Sequence, residues 1–243
     1  MPGWNPYLED WAAACGHRVR ARVATEFGRN PLERRMLAAW GRTEHNLREI
    51  RTHLTHWYAF SVPTEDTLEC LARYAPLVEV GAGTGYWARC LRERGVDVEA
   101  YDEMGDEWRT WFRPSRLEEV ETGAGRSELV ARPDPDRSEP FLWTEVAAGG
   151  PEALGRHAGR TLLLCWPGPW NAFDQAALLA HQGDHVALVS DASGGSTSPG
   201  LGPLLRREWT RVDEAPVARW PATADGLVVW RRKQRLDSDR APW

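Results

Sequence analysis

The segment Leu77-Val-Glu-Val-Gly-Ala-Gly-Thr-Gly-Tyr-Trp-Ala88 constrains the fold more than any other part of the chain. An apolar strand, Leu77 to Val80, runs into glycines 81, 83 and 85, and a helix from Tyr86 to Arg94 starts at once and stops at Gly95. Glycine belongs there because the backbone must turn tightly and let a ligand approach without Cβ atoms in the way. A second strand, Val96 to Tyr101, finishes at Asp102. Further on, Thr161 to Cys165 and His185 to Ser190 are continuous apolar runs of the kind that parallel strands show when buried on both faces. Between and after them, a helix over 171–182, a helical face at Leu201, Leu204, Leu205 and Trp209, and terminal strands Thr210 to Val217 and Leu227 to Arg231 complete an alternation. Such alternation predicts an α/β fold, a mostly parallel sheet with helices on both faces. Its ligand is expected beyond the carboxyl ends of the strands, where strand order reverses.

The first 60 residues carry a different texture. Leu8, Trp11, Ala12, Cys15 and Val19 repeat at helical spacing, and Asn30-Pro31 reads as a capped helix start. Leu47, Ile50, Leu54 and Trp57 continue a stripe toward Tyr58, and Ser61-Val62-Pro63 breaks it before a helix capped by Thr64. The expected organisation is an N-terminal helical cap over 1–63 and a ligand-binding domain over 64–243. The polar, proline-containing stretch 103–140 is read as an irregular insertion, because ordinary connections run about 2–6 residues. Phe141 to Val146 is a short strand candidate.

Composition excludes several classes of function. A net charge of −5 provides no electrostatic footprint for nucleic acid or an anionic membrane. The run Arg231, Arg232, Lys233 and Arg235 reads as a solvated strand end. Cys15, Cys70, Cys90 and Cys165 have no CxxC spacing, and no HxxH or HExxH pattern occurs, so no metal site is expected. No basic segment leads into an apolar one at the N-terminus, and no apolar run approaches the roughly 20 residues of a membrane helix. A cytoplasmic protein is therefore expected.

The glycine spacing and its flanking acids select the ligand chemistry. A dinucleotide loop reads GxGxxG, whereas this one reads GxGxG. Glu79, on the strand two residues before Gly81, suits a ligand with an ammonium and a sulfonium and opposes a diphosphate. Asp102, about 20 residues beyond the glycines, stands where an acid can accept both hydroxyls of a ribose.

Glu79-Val-Gly-Ala-Gly-Thr-Gly85 resembles the first motif of class I S-adenosylmethionine (SAM)-dependent methyltransferases, and Asp102 matches their ribose-binding acid. More narrowly, Gly85-Tyr-Trp-Ala88 and Leu162-Leu-Leu-Cys-Trp-Pro167 resemble a little-characterised bacterial group of that superfamily. The resemblance implies a Rossmann-like seven-stranded sheet whose last strand is antiparallel, with SAM as cofactor. It implies cofactor contacts from Glu79, Gly81, Ala82, Gly83 and Gly85, and from Tyr86, Trp87 and Asp102. Glu145, after the third strand, and Cys165 with Trp166, after the fourth, join them as expected contacts. Amino-group methyltransferases often carry Asp/Asn-Pro-Pro-Tyr/Phe at the fourth strand's end. Here Cys165-Trp166-Pro-Gly-Pro-Trp170 stands instead, which argues against a DNA base or amide as acceptor.

The expected reaction is direct displacement of the methyl group by a small-molecule or short-peptide nucleophile, with no nucleic-acid or membrane partner; a homodimer is compatible with the sequence. No catalytic residue is fixed. Tyr58, His56 and Trp170 are the candidates, each with a plain structural alternative: a hydrophobic staple, a surface histidine and a core tryptophan. A SAM-binding subunit without catalysis and an NAD-dependent oxidoreductase with a variant glycine loop are the rival functions.

Overall fold

The structure, a computed structural model, describes residues 5–16 and 43–234. The expectations at Val19, Asn30-Pro31 and Arg235 lie outside the described residues.

Seven strands form the main sheet: β1 (Leu77–Val80), β2 (Val98–Asp102), β5 (Ala147–Ala148), β6 (Thr161–Cys165), β7 (His185–Asp191), β8 (Trp209–Pro216) and β9 (Asp225–Arg232), in the order β5-β2-β1-β6-β7-β9-β8. β1, β2, β5, β6 and β7 run parallel, and β9 alone is antiparallel to both of its neighbours. The chain is thus α/β with a mostly parallel sheet. Strand order reverses between β1 and β6, which opens a crevice beyond their carboxyl ends.

Alternation of side chains along each strand builds two cores. Leu77, Leu163, Ala187 and Val229 point to one face, and Val78, Leu162, Leu164 and Val186 to the other. On the first face lie α3 (Glu65–Ala72) and α4 (Tyr86–Arg92), through Leu68, Leu71, Trp87 and Leu91. The N-terminal helices α1 (Pro6–Ala14) and α2 (Glu44–Trp57) add Tyr7, Ile50 and Leu54 to that same core. The second face is covered by α6 (Phe173–Ala180), α7 (Leu201–Glu208) and a 3-10 turn at Pro151–Arg156. Among the described residues no helix is long and apolar enough to cross a membrane.

Residues 103–140 depart from the expectation of an irregular insertion. They form helix α5 (Asp106–Trp111) and a hairpin, β3 (Ser115–Gly123) with β4 (Arg126–Pro133). The polar composition reflects a ribbon with much of its surface in water. Its outer edge is nevertheless closed by the cap helix. The amides of Leu129 and Ala131 donate to Asn46 Oδ1 at 3.0 Å and Glu49 Oε2 at 2.9 Å, so side chains of α2 take the place of a third strand. Ser115 ties the root of the hairpin to α2: its hydroxyl lies 3.0 Å from His53 Nδ1, and its carbonyl accepts from Trp57 Nε1 at 2.9 Å. The strand expected over Phe141 to Val146 is absent, and the sheet's edge strand is only Ala147–Ala148. Residues 143 and 144 instead cross α4, with Trp143 N donating to Thr84 O at 2.9 Å.

Candidate functional site

A cleft of about 200 Å³ opens at the switch between β1 and β6. Its floor is Glu79, Gly81, Ala82 and Gly83 after β1, with Asp102 at the end of β2. One wall is the turn Cys165 to Asn171 after β6, and the other is α5 with Trp108, Trp111 and Phe112. Eight aromatic side chains line it: Phe60, Trp87, Trp108, Trp111, Phe112, Trp166, Trp170 and Phe173. Four carboxyl groups line it as well, from Glu79, Asp102, Glu103 and Glu107, and no Lys, Arg or His does among the described residues.

The glycine loop is organised from within. Gly81 and Ala82 both donate their amides to Tyr101 O at 2.9 Å, Gly83 N donates to Asp102 Oδ2 at 2.7 Å, and Gly85 N donates to Ala82 O at 2.9 Å. A phosphate-binding loop presents such amides to its ligand. Here they are already engaged, chiefly by the end of β2. Each glycine also has a packing reason. At Gly81 (φ +77°) a Cβ would stand 3.1 Å from the Phe173 ring, and at Gly83 (φ +59°) 2.6 Å from Phe112. The close neighbour of Gly83 is therefore the roof, and Trp108 Nε1 donates to Gly83 O at 3.0 Å beside it. Gly85 (φ +74°) does not line the cleft; its Cβ would meet Val146 at 2.7 Å and Thr144 at 3.0 Å. Gly85→Ala is expected to lower stability by about 1–3 kcal/mol through overpacking, as read by urea unfolding.

Electrostatically, the floor is a buried acid with no ion pair among the described residues. Glu79 is 1% exposed, and its Oε2 has no hydrogen-bond partner among the described residues. Burial pushes its carboxyl up to about 8, with Arg92 opposing and Asp102 reinforcing the rise. Asp102 is likewise pushed up by burial, to about 6, against the amides of Gly83 and Met104 that hold its charged form. Under the β6 turn, Asp225 is fully buried, and burial lifts it to about 6 while Arg51 and the Trp166 and Thr223 side chains oppose. Cys165, between Glu79 and Asp225, is held well above the usual thiol range by burial and by both acids, so it stays protonated.

The β6 turn is strained. Trp166 (φ 51°), Gly168 (φ 85°) and Ala172 (φ 53°) are all left-handed, two of them with a Cβ. The Trp166 ring lies flat on Phe60, centroids 5.8 Å apart and planes 5° apart, and the Arg51 guanidinium lies 5.1 Å from its centroid. Farther out, Trp170 is 67% exposed and stacks on Trp111 at 5.9 Å and 12°.

The structure gathers Glu79, Gly81, Ala82, Gly83, Trp87, Asp102, Cys165, Trp166 and Trp170 around one cleft. It leaves five expected residues outside, Gly85 and the four that follow. Tyr58 is buried, its ring stacked between Tyr7 (4.7 Å) and Trp143 (5.1 Å), its hydroxyl donating to Asp10 Oδ2 at 2.8 Å. Tyr86 stands edge-on to the same stack, and its hydroxyl donates to Asn5 Oδ1 at 2.8 Å. The helical stripe that ends in Tyr58 faces inward, so Tyr58 fills core, while Phe60, two residues on, lines the cleft. His56 opens into a separate surface hollow with Arg109, Arg113 and Ser138, and burial lowers its pKa. Glu145 is exposed; only its carbonyl is engaged, by Arg92 Nη1 at 2.7 Å.

The sequence reading missed the roof. Trp108, Trp111 and Phe112 follow a glycine and two acidic residues at i, i+3 and i+4, a one-faced helix signal inside a stretch that looked irregular. Comparison with protein-family models and with curated proteins finds no match for the chain. Function is accordingly argued from the chemistry of the cleft.

Proposed function

We propose that the chain is a cytoplasmic SAM-dependent methyltransferase of class I, acting on a small-molecule or short-peptide nucleophile. The observation that carries this reading is the buried, unpartnered Oε2 of Glu79 beneath a glycine loop whose amides are engaged. That floor favours a cationic ligand and opposes a diphosphate, which counts against NAD. The placement of the single antiparallel strand, last in the chain, agrees with what the class I resemblance implies.

The donor set fits the cofactor. Glu79 would face its ammonium. Asp102 keeps acceptor capacity for the ribose, since a carboxylate has about four acceptor positions and the amides of Gly83, Met104 and Glu103 do not fill them all. When bound, SAM supplies a methyl group already activated by its positive sulfur. The chain's own part is to hold the reactants in line and exclude water with Phe60, Trp166 and the roof. Such positioning contributes about 7–11 kcal/mol in well-oriented reactions. The cleft is smaller than the roughly 300–1,000 Å³ of most ligand pockets. Helix α5 buries none of its side chains.

Calorimetry tests the proposal. SAM and S-adenosylhomocysteine should bind the full chain, and Asp102→Asn should weaken both by about 1.5–3 kcal/mol, the range for bonds to a charged group. Binding of NADH with no binding of SAM would remove the reading.

A further inference from the structure

The cofactor's expected partners, Glu79 and Asp102, account for half of the carboxyl groups in the cleft. The other two are exposed: Glu103 follows β2, its carboxylate close to Gly150, and Glu107 stands on α5. Among the described residues neither forms an ion pair: Arg109, the one arginine of α5, pairs with Glu139 and borders the His56 hollow. Beside Glu107 the mouth is built of flat apolar surface, the Trp111–Trp170 stack, with Trp111 38% and Trp170 67% exposed. Large exposed aromatics are unusual away from a ligand or partner surface. Behind them the unpartnered Glu79 oxygen independently marks the same cleft as one that takes positive charge.

We propose that the outer half of this cleft, between the Trp111–Trp170 stack and Glu107, is the acceptor subsite, and that the acceptor is a flat, apolar molecule bearing a protonated amine and no anionic group. An aromatic face attracts an ammonium through its quadrupole, and a nearby carboxylate adds to that attraction. A carboxylate or phosphate on the acceptor would meet Glu103 and Glu107, with no Lys, Arg or His lining the cleft among the described residues, Arg51 standing against the Trp166 ring. The proposal concerns recognition and rests on the methyltransferase reading only for the word acceptor.

Two probes with one body and opposite charge test it: 2-(1-naphthyl)ethylamine and 1-naphthylacetate, titrated by ligand-observed NMR into the full chain, with and without S-adenosylhomocysteine. The amine should bind at least about tenfold more tightly than the acid. Trp170→Ala should weaken the amine by about fivefold, and Glu107→Gln should narrow the amine-to-acid ratio. Both side chains are exposed, so neither change endangers folding. Equal or tighter binding of the acid, no binding of either probe at millimolar concentration, or an amine affinity indifferent to both substitutions would overturn the proposal. The cofactor arm is read separately. Failure of S-adenosylhomocysteine to bind removes the methyltransferase reading, while the charge preference of the cleft is still measured on the protein alone.

Discussion

Glu79→Gln is expected to melt at a higher temperature than the parent chain at about pH 9, and to bind SAM at least about tenfold more weakly. The two effects have one cause. Burial lifts Glu79 to about 8, so the folded, empty protein holds a proton there that the unfolded chain releases near the usual carboxylate value. The stability this group contributes is fully present below the unfolded pKa and is lost as pH rises through about 8. Each unit of separation corresponds to about 1.4 kcal/mol, so an ionised Glu79 without a cation costs the empty protein several kcal/mol at high pH. Glutamine removes that cost and, with it, the charge a cationic ligand needs. At about pH 5 the two proteins should melt alike, because the parent's carboxyl is then neutral. Asp102 and Asp225, each lifted to about 6, act in the same direction over a lower window, where buried His181, held at about 4, and His56 oppose them, so the unliganded parent should gain stability on acidification from about pH 9 to about pH 7. Melting curves of both proteins across that range, with calorimetric SAM affinity, provide the check. A parent that loses stability on acidification, or a variant with full affinity, would show that Glu79 is a satisfied core acid.

A substitution that stabilises the empty fold while removing binding belongs to a site rather than to a core. That distinction explains which parts of this protein were legible in the sequence. β1 and β6 coincide with the expected residues because each is a short apolar run between glycine, proline or charged residues, with no competing helical period. The floor of the cleft was legible for the same reason. A glycine loop with an acid two residues ahead and another at the next strand's end is local in sequence and rigid in space. The roof was not. Trp108 and Trp111 sit on a helix of six residues that buries no side chain of its own, and Phe112, buried against Gly83, follows its last residue. The hairpin that follows is fastened by Asn46 and Glu49, more than eighty positions away in sequence, and no periodicity reports such a partner. Glu145 failed differently. A short strand was expected over residues 141–146, with Glu145 as a cofactor contact, but the chain uses Trp143 and Thr144 to pack on α4, and Glu145 is exposed.

Tyr58→Ala is expected to destabilise the protein by about 3–5 kcal/mol, and Trp170→Ala to change stability by no more than about 0.5 kcal/mol. In a chain of this size the first change lowers the melting temperature by roughly 6–20 °C. Both residues end aromatic-rich segments that point toward the carboxyl edge of the sheet, and sequence alone treats them as a pair. Packing separates them. Tyr58 is 1% exposed, fills a stack between Tyr7 and Trp143, and carries its hydroxyl to Asp10, so truncation leaves a cavity at the junction of the cap with α4. Tyr58→Phe keeps the stack and removes only that hydrogen bond, and should therefore cost less than half as much. Trp170 has water on most of its surface and one ring neighbour, Trp111, so its loss is read at the cleft and not in the melting curve. Thermal unfolding of the three variants, with S-adenosylhomocysteine affinity measured on each folded protein, tests the division. If Tyr58→Ala melts like the parent and loses ligand, the cleft extends beneath the cap. If Trp170→Ala melts low, the β6 turn is held by its aromatic tip, and the strained backbone at Trp166 and Ala172 depends on that contact.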